Sequence, residues 1–171
     1  MLAIKIIVKQ KLQNDFFKKM NKVRIITTAR GIIWHEEKLL LVSHNKNTWY
    51  APGGWLDGFE SLPTTCKREI FEELGCEVEV GPLVKVCHYT ETADVNSYGE
   101  NINKVEHYFL CTLQTIPQIE GENNLWEDHD NGLVKFAKWF TKEELVYTKN
   151  IGPKWLVKTD SKEFLSKVFE G

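Results

Sequence analysis

The spacing of glycine, glutamate and arginine between Gly54 and Cys76 constrains this chain more than any other feature. The segment reads G-W-L-D-G-F-E-S-L-P-T-T-C-K-R-E-I-F-E-E-L-G-C. Each residue type occurs at roughly one position in fifteen, so seven identities at set offsets arise by chance about once in a hundred million windows. The fixed positions, followed by the two apolar ones, are Gly54, Glu60, Arg68, Glu69, Glu72, Glu73, Gly75, Ile70 and Cys76.

This spacing resembles the Nudix box, G-x5-E-x7-R-E-U-x-E-E-x-G-U with U an apolar residue, at every specified position. The resemblance implies an α/β fold, namely an α/β/α sandwich with a central mixed β-sheet. It also implies a Nudix hydrolase that cleaves a diphosphate linkage in a nucleoside diphosphate derivative or nucleotide, by metal-assisted attack of water at phosphorus. One position departs from frequent usage in the family, because Phe59 precedes the box glutamate and Gly58 lies one place earlier.

The box is predicted to form a helix from about Leu62 to Leu74. Ser61 is a suitable N-cap, Pro63 fits the first turn, and Gly75 is a typical helix stop. At 100° per residue, Ile70 falls on an apolar side that can pack against a sheet. The helix is therefore expected to be anchored by one side and to direct its charged residues elsewhere.

Three carboxylates, those of Glu69, Glu72 and Glu73, share an arc of about 100° on this helix. Like charges at this spacing oppose helix formation by about a few tenths of a kcal/mol per pair, which a divalent cation would offset. Because the donors are oxygens, Mg²⁺ or Mn²⁺ is the predicted cofactor. Arg68 lies four residues before Glu72 and can orient its carboxylate, so all four residues are predicted to be catalytic. The alternative is a solvated acidic helix face.

Pro52-Gly53-Gly54 is predicted to be a loop rather than a regular strand, with a backbone that approaches ligand and metal closely. The resemblance implies that the Gly53 carbonyl helps to bind the metal and that Glu60 supports the junction of loop and helix. A generic turn is the alternative. The residues predicted to contact substrate are Gly53, Gly54, Trp55 and Arg30.

Aromatic and basic side chains near this loop are candidates for substrate selection. The aromatic ones either stack on a base or sugar or pack in the core. Arg30 and Lys104 either meet phosphates or are ordinary surface residues of strands. The aromatic candidates are Trp49, Tyr50, Trp55 and Phe59.

The general base is predicted to be a box glutamate or an acidic residue further along the chain. The segment before the final predicted strand offers Glu122, Glu127, Asp128 and Asp130, of which Glu127 and Asp128 are best placed. Glu106 is a further candidate. For each of these residues the alternative is a solvated surface charge.

The remaining pattern predicts one domain over residues 21–171. Strands are predicted at 24–34, 38–43, 48–55, 77–92, 104–113 and 132–140, and capping boxes predict short helices that begin at Thr141 and Asp160. Residues 1–20 are interpreted either as an N-terminal extension or as an edge strand. One face of the 104–113 strand is predicted to hold Val105, His107, Phe109, Cys111 and Leu113.

Composition narrows the possible functions. No apolar run approaches the length of a membrane span, and no secretory signal is recognisable. The first 20 residues carry five lysines and one aspartate, so the remainder of this −2 chain is acidic and no nucleic-acid partner is predicted. Four widely spaced cysteines are interpreted as buried thiols in a reducing cytoplasm, and they are Cys66, Cys76, Cys87 and Cys111.

The predicted partner is therefore a small nucleotide-type molecule, and no oligomeric state is predicted. The main alternative is a non-catalytic, nucleotide-binding regulatory module on the same fold. A weaker alternative is an isomerase of the same fold that acts on a diphosphate ester.

Overall fold

The computed structural model describes residues 23–93, 99–117, 119, 124–127, 134–152 and 154–158, of which 124–127, 134–135 and 157–158 are described by backbone alone. The chain divides into two compact units, residues 1–26 with 88–105 and residues 27–87 with 106–171. The box and the charged clusters around it lie in the second unit. The predictions for residues 1–20 and for the helix at Asp160 lie outside the described residues.

Within these ranges the chain forms nine strands and three helices. The strands are β1 (Val23–His35), β2 (Lys38–Ser43), β3 (Trp49–Tyr50), β4 (Gly53–Trp55), β5 (Val78–Glu91), β6 (Asn101–Leu113), β7 (Asn124–Glu127), β8 (Val134–Phe140) and β9 (Ile151–Gly152). The helices are α1 (Leu62–Leu74), α2 (Lys142–Tyr147) and α3 (Trp155–Lys158). None of these described helices is long and apolar enough to cross a membrane.

The strands form a mixed sheet in the order β5-β6-β1-β2-β3-β9, in which β4 also pairs with β1, and β8 pairs with β2 and β7. The β3–β9 pair is parallel, whereas β1–β2, β1–β4 and β2–β8 are antiparallel. The predicted mixed sheet is therefore confirmed.

Alternating residues of β2 show that layers cover both faces of the sheet. Leu40 and Val42 belong to the core cluster that includes the apolar side of α1. Leu39 and Leu41 point to the opposite face and pack in a second cluster with Leu145 of α2. Helices thus lie on both faces, which confirms the predicted α/β/α architecture.

The glycine segment differs from its prediction, because Gly53 and Gly54 belong to strand β4 instead of a loop. They pair with Arg30 and Ala29 of β1, and the chain enters this pairing through a bond from the Gly31 N–H to the Pro52 carbonyl at 2.8 Å. The single strand predicted at 48–55 is accordingly two strands, β3 and β4. Pairing with β1 outweighs the low strand propensity of glycine here.

The cysteine prediction holds for three of the four residues. Cys66, Cys76 and Cys111 are buried free thiols, while Cys87 is half-buried and also free. Burial raises the pKa of the Cys76 thiol to about 11. The Sγ atoms of Cys66 and Cys111 lie 3.8 Å apart in the core behind α1, so these thiols contribute apolar packing.

Candidate active site

Helix α1 carries the predicted site and has the predicted bounds. At its N-cap the Ser61 Oγ accepts the N–H of Thr64 at 3.3 Å. At its end Gly75 adopts φ 62°, the left-handed conformation, and donates its N–H to the Phe71 carbonyl at 2.8 Å. Ile70 is fully buried in the core. The two ends and the apolar side therefore fix the direction in which the acidic side chains project.

Arg68 is the centre of a group that we call the Arg68 cluster, consisting of Arg68, Glu60, Glu69 and Glu72. Its Nε lies 2.9 Å from Glu60 Oε1, and its Nη1 lies 3.0 Å from Glu69 Oε1 and 2.9 Å from Glu72 Oε2. Its Nη2 donates to the Trp55 carbonyl at 3.1 Å. The contact between Arg68 and Glu72 is the one that the sequence predicted. The same guanidinium also joins the helix to the end of β4.

Glu60 supports the start of the helix, as the resemblance implied. Its hydrogen bonds from Arg68 hold the pKa of Glu60 below its usual value. Thr65 donates its Oγ1 to Glu60 Oε2 at 3.0 Å and is itself fully buried. The backbone N–H of Glu60 donates to the Asp57 carbonyl at 3.1 Å. Sequence reasoning missed Thr65, because it occupies a position that the box leaves free.

Two of the box carboxylates contact the glycines of β4 directly. Glu73 is only 4% exposed, and its Oε2 accepts the N–H of Gly53 at 2.9 Å. The Glu69 carboxylate lies where a side chain at Gly54 would begin, since a Cβ there would come within 2.2 Å of Glu69 Oε2. Burial raises the pKa of Glu69 above its usual value. Contacts between the carboxylates of Glu69 and Glu73 and the glycine backbone thus join helix α1 to β4.

A second charged group, which we call the Arg30 cluster, consists of Arg30, Glu106 and Tyr108. Arg30 Nε lies 3.2 Å from Glu106 Oε1, and the Tyr108 hydroxyl donates to Glu106 Oε2 at 2.5 Å. Arg30 Nη1 donates to the carbonyls of Ala51 at 2.9 Å and Gly53 at 3.2 Å. Burial by itself would lower the pKa of Arg30, but the neighbouring Glu106, Tyr108 and Glu73 together outweigh it, so the pKa is raised. The Arg30 guanidinium therefore stays charged.

The aromatic candidates separate into buried and exposed residues. Trp49 is buried in the core and Tyr50 is half-buried, with the Arg30 guanidinium carbon 5.3 Å from the Tyr50 ring centre. Trp55 is 38% exposed and Phe59 is fully exposed. The core-packing alternative is therefore correct for Trp49, whereas Trp55 and Phe59 present aromatic surface within the first part of the box.

The remaining candidates have different surroundings. Glu106 is buried within the Arg30 cluster. Lys104 is half-buried in β6 and belongs to the first unit. Glu127 ends β7, where its backbone pairs with Val134 of β8, and its side chain is not described. The other acidic candidates lie outside the described residues, namely Glu122, Asp128 and Asp130.

The donor set suits a hard divalent cation. The carboxylates of Glu69, Glu72 and Glu73 and the carbonyl of Gly53 are all oxygen donors, and the bare backbone at Gly54 makes room for the Glu69 carboxylate. Among the described residues, no three His, Cys, Asp or Glu side chains are arranged around one metal position. Protein donors hold the box carboxylates instead, because Arg68 binds two of them and the Gly53 N–H binds the third.

Comparisons with known proteins identify the family and the fold of this chain. The family model described as NUDIX domain matches residues 25–165. A NUDIX hydrolase from Nitrosomonas europaea has a TM-score of 0.60 and 22% identity, with 84% of this chain and 90% of that chain covered. The mMutator MutT protein from Bacillus halodurans has a TM-score of 0.57 and 22% identity, with 78% and 80% covered. A UDP-X diphosphatase has a TM-score of 0.56 and 22% identity, with 95% and 71% covered. At these identities the solved structures show a shared fold.

Proposed function

The chain belongs to the Nudix hydrolase family, and on that premise we propose that it hydrolyses a diphosphate linkage in a nucleoside diphosphate derivative or a nucleotide. The proposed reaction is attack of water at phosphorus, assisted by a divalent cation. The observation that carries this proposal is the contact of two box carboxylates with bare backbone, Glu73 on the Gly53 N–H and Glu69 against Gly54. Such a contact brings acidic oxygens and the Gly53 carbonyl of β4 together beside one helix.

Mg²⁺ or Mn²⁺ is the proposed cofactor, with Glu69, Glu72, Glu73 and the Gly53 carbonyl as its ligands. A bound cation of this kind neutralises phosphate oxygens and lowers the pKa of an attacking water. The burial of Glu73 supports the assignment, because positive charge stabilises a carboxylate strongly where water is excluded. Arg68 orients Glu69 and Glu72 by direct bonds and in this way acts on two of the four ligands.

The proton of the attacking water is proposed to pass to a box carboxylate or to Glu127. Glu69 is a suitable acceptor by position, since its carboxylate lies directly against β4. Glu106 is less suited, because Arg30 and Tyr108 already occupy its two oxygens. Single Glu-to-Gln variants at Glu69 and Glu127 separate the two acceptors, because loss of the general base removes the acidic limb of the pH–rate profile, where that base becomes protonated.

The proposed substrate carries a nucleobase. Trp55 and Phe59 expose aromatic surface that can stack on it. One structural neighbour is named a UDP-X diphosphatase, and we propose for this chain the same chemical class, a nucleoside diphosphate joined to another group. The proposed location is the cytoplasm, where buried thiols such as Cys66 and Cys111 remain reduced.

The test is incubation with Mg²⁺ and a panel of nucleoside triphosphates, sugar nucleotides and dinucleotides, followed by analysis of the released phosphate, pyrophosphate and nucleoside monophosphate. Turnover by the native enzyme and its loss in a Glu72→Gln, Glu73→Gln double variant are expected. The matched control is Glu77→Gln with Glu79→Gln, an equal change of charge at two exposed positions beyond the helix. Thermal unfolding of both double variants shows whether each is folded.

Two results would contradict the proposal. Turnover that persists in the Glu72→Gln, Glu73→Gln variant would place the chemistry elsewhere. Tight binding of a nucleotide by the native chain, without product after long incubation, would indicate the non-catalytic regulatory module instead.

A further inference from the structure

The Arg30 cluster lies beside β4 and is not accounted for by the reaction proposed above. Its side chains are nearly buried, since Arg30 is 11% and Glu106 9% exposed. A buried ion pair costs free energy to form, because both charged groups lose their hydration, so its presence calls for a structural or functional reason. We propose that Arg30 and Glu106 are positioning residues that fix Gly53 for the divalent cation, an inference that rests on the proposed function.

Gly53 is held on both sides of its α-carbon. Its carbonyl accepts from Arg30 Nη1 at 3.2 Å, and its N–H donates to Glu73 at 2.9 Å. The contacts therefore run in one line from Glu106 through Arg30 and Gly53 to a box carboxylate. A displacement of Arg30 changes the position of the Gly53 carbonyl and, through the N–H, the position of Glu73.

The backbone at this point needs such a restraint. Gly53 has φ 132°, and a Cβ there would lie 2.2 Å from the Ala29 carbonyl oxygen, so no residue with a side chain fits. Glycine is also the residue with the greatest freedom to leave a given conformation. Hydrogen bonds to its carbonyl and N–H therefore supply the rigidity that the residue itself lacks.

An arginine is suited to this position, and a lysine is not. Arg30 directs Nε to Glu106 and Nη1 to two carbonyls, and the shorter of these bonds, 2.9 Å, goes to Ala51. A lysine has a single charged nitrogen and cannot keep this fixed fork. The carbonyl oxygen of Gly53 has two lone pairs, so the bond to Arg30 leaves one for a cation.

Two variants separate this role from a general loss of stability. Arg30→Lys keeps the charge pair with Glu106 but loses the fork. The triple variant Arg30→Met, Glu106→Leu and Tyr108→Phe removes both charges together with the hydroxyl that donates to Glu106, and replacing a whole buried ion pair by apolar residues is often neutral or stabilising. The matched control is Lys138→Met with Glu144→Leu, which removes an ion pair of 3.0 Å that joins β8 to α2.

The measurement is direct Mn²⁺ binding, followed by the electron paramagnetic resonance signal of free Mn²⁺, together with thermal unfolding and steady-state kinetics. Both Arg30 variants are expected to raise the Kd for Mn²⁺ by about 10- to 100-fold, the usual effect of losing a group that orients a metal ligand. The control pair is expected to bind Mn²⁺ as the native enzyme does. At saturating Mn²⁺ the substrate KM of Arg30→Lys is expected to stay within about threefold of the native value.

The outcomes distinguish this inference from the proposed function. Native Mn²⁺ affinity in both Arg30 variants would overturn the inference alone. A raised substrate KM with an unchanged Kd for Mn²⁺ would also overturn it, because Arg30 would then contact substrate directly. A native chain that neither takes up Mn²⁺ nor turns over any nucleotide would overturn the proposed function and this inference with it.

Discussion

Replacement of Gly54 by alanine tests the contact between β4 and the box helix most directly. The new Cβ would lie 2.2 Å from Glu69 Oε2 and 2.4 Å from its Cδ, whereas ordinary contacts begin at 3.4 Å. The carboxylate must therefore move by about 1.2 Å. That movement also breaks the 3.0 Å bond between Glu69 and Arg68, because both contacts involve the same carboxylate.

The magnitude follows from how sharply catalysis depends on position. A misplacement of about 1 Å in a catalytic group costs about 100-fold in rate, which corresponds to about 2.7 kcal/mol in transition-state stabilisation. We therefore expect Gly54→Ala to lower kcat/KM by about 100-fold or more. The free energy of unfolding is expected to change little, because the displaced group is the end of a flexible side chain.

The control is the same substitution at Gly31, where the new Cβ meets core atoms instead. There it would lie 2.5 Å from Ile70 Cδ1 and 3.1 Å from Cys111 Sγ. Overpacking of this kind costs about 1–3 kcal/mol, and each kcal/mol lowers Tm by about 2–4 °C in a chain of this size. Gly31→Ala is expected to lose stability and keep kcat/KM below its Tm. Native kcat/KM in Gly54→Ala, in a well-folded protein, would refute the reasoning.

Other expectations concern stability and the exposed residues. The backbone N–H of Thr141 lowers the pKa of Glu144 in the folded protein. The Glu144 carboxylate therefore contributes its full stability above its ordinary pKa of 4.5 and progressively less as pH falls through the lower folded value. Urea unfolding at several pH values should show this dependence of the free energy of unfolding on pH, and the Glu144→Gln variant should lack it. Trp49→Ala should lower the free energy of unfolding by about 3–5 kcal/mol. Trp55→Ala should lower it by under about 1 kcal/mol and should raise KM for nucleotides. Equal effects of the two variants on stability would contradict the assignment of Trp49 to the core and Trp55 to the surface. Ellman's reagent should label Cys87 before the three buried thiols, and simultaneous labelling of all four in the native protein would contradict it.

Helix α1 could be predicted to the residue because its signals are local. Ser61 accepts the N–H of Thr64, three positions ahead, and Gly75 closes the helix on Phe71, four positions back. Capping groups of this kind lie within a few residues of the helix end that they stabilise, so they can be recognised in the local sequence. The same locality explains the contact of Arg68 with Glu72, which follows from helical geometry alone.

The features that the sequence did not reveal depend on distant residues. Arg30 and Glu106 are 76 positions apart, and only the placement of β6 beside β1 brings them together. The predicted apolar face of β6 is correct for Phe109 and Cys111, which are buried in the core. The opposite face is also buried at its centre, where it holds Glu106 and Tyr108. Alternation of apolar residues identifies one buried face of such a strand, but it does not show whether the opposite face is buried as well.

The bonds of Arg68 explain why the box needs both an arginine and Glu60, neither of which is in the proposed set of metal ligands. Arg68 binds Glu60 through two nitrogens, Nε at 2.9 Å and Nη2 at 3.1 Å, and binds Glu69 and Glu72 through Nη1 alone. If the carboxylates of Glu69 and Glu72 rotate away, the two bonds to Glu60 still fix the guanidinium. The same arginine can thus neutralise three neighbouring acids, Glu60 just before the helix and two on it, and leave the two helical carboxylates available to another cation.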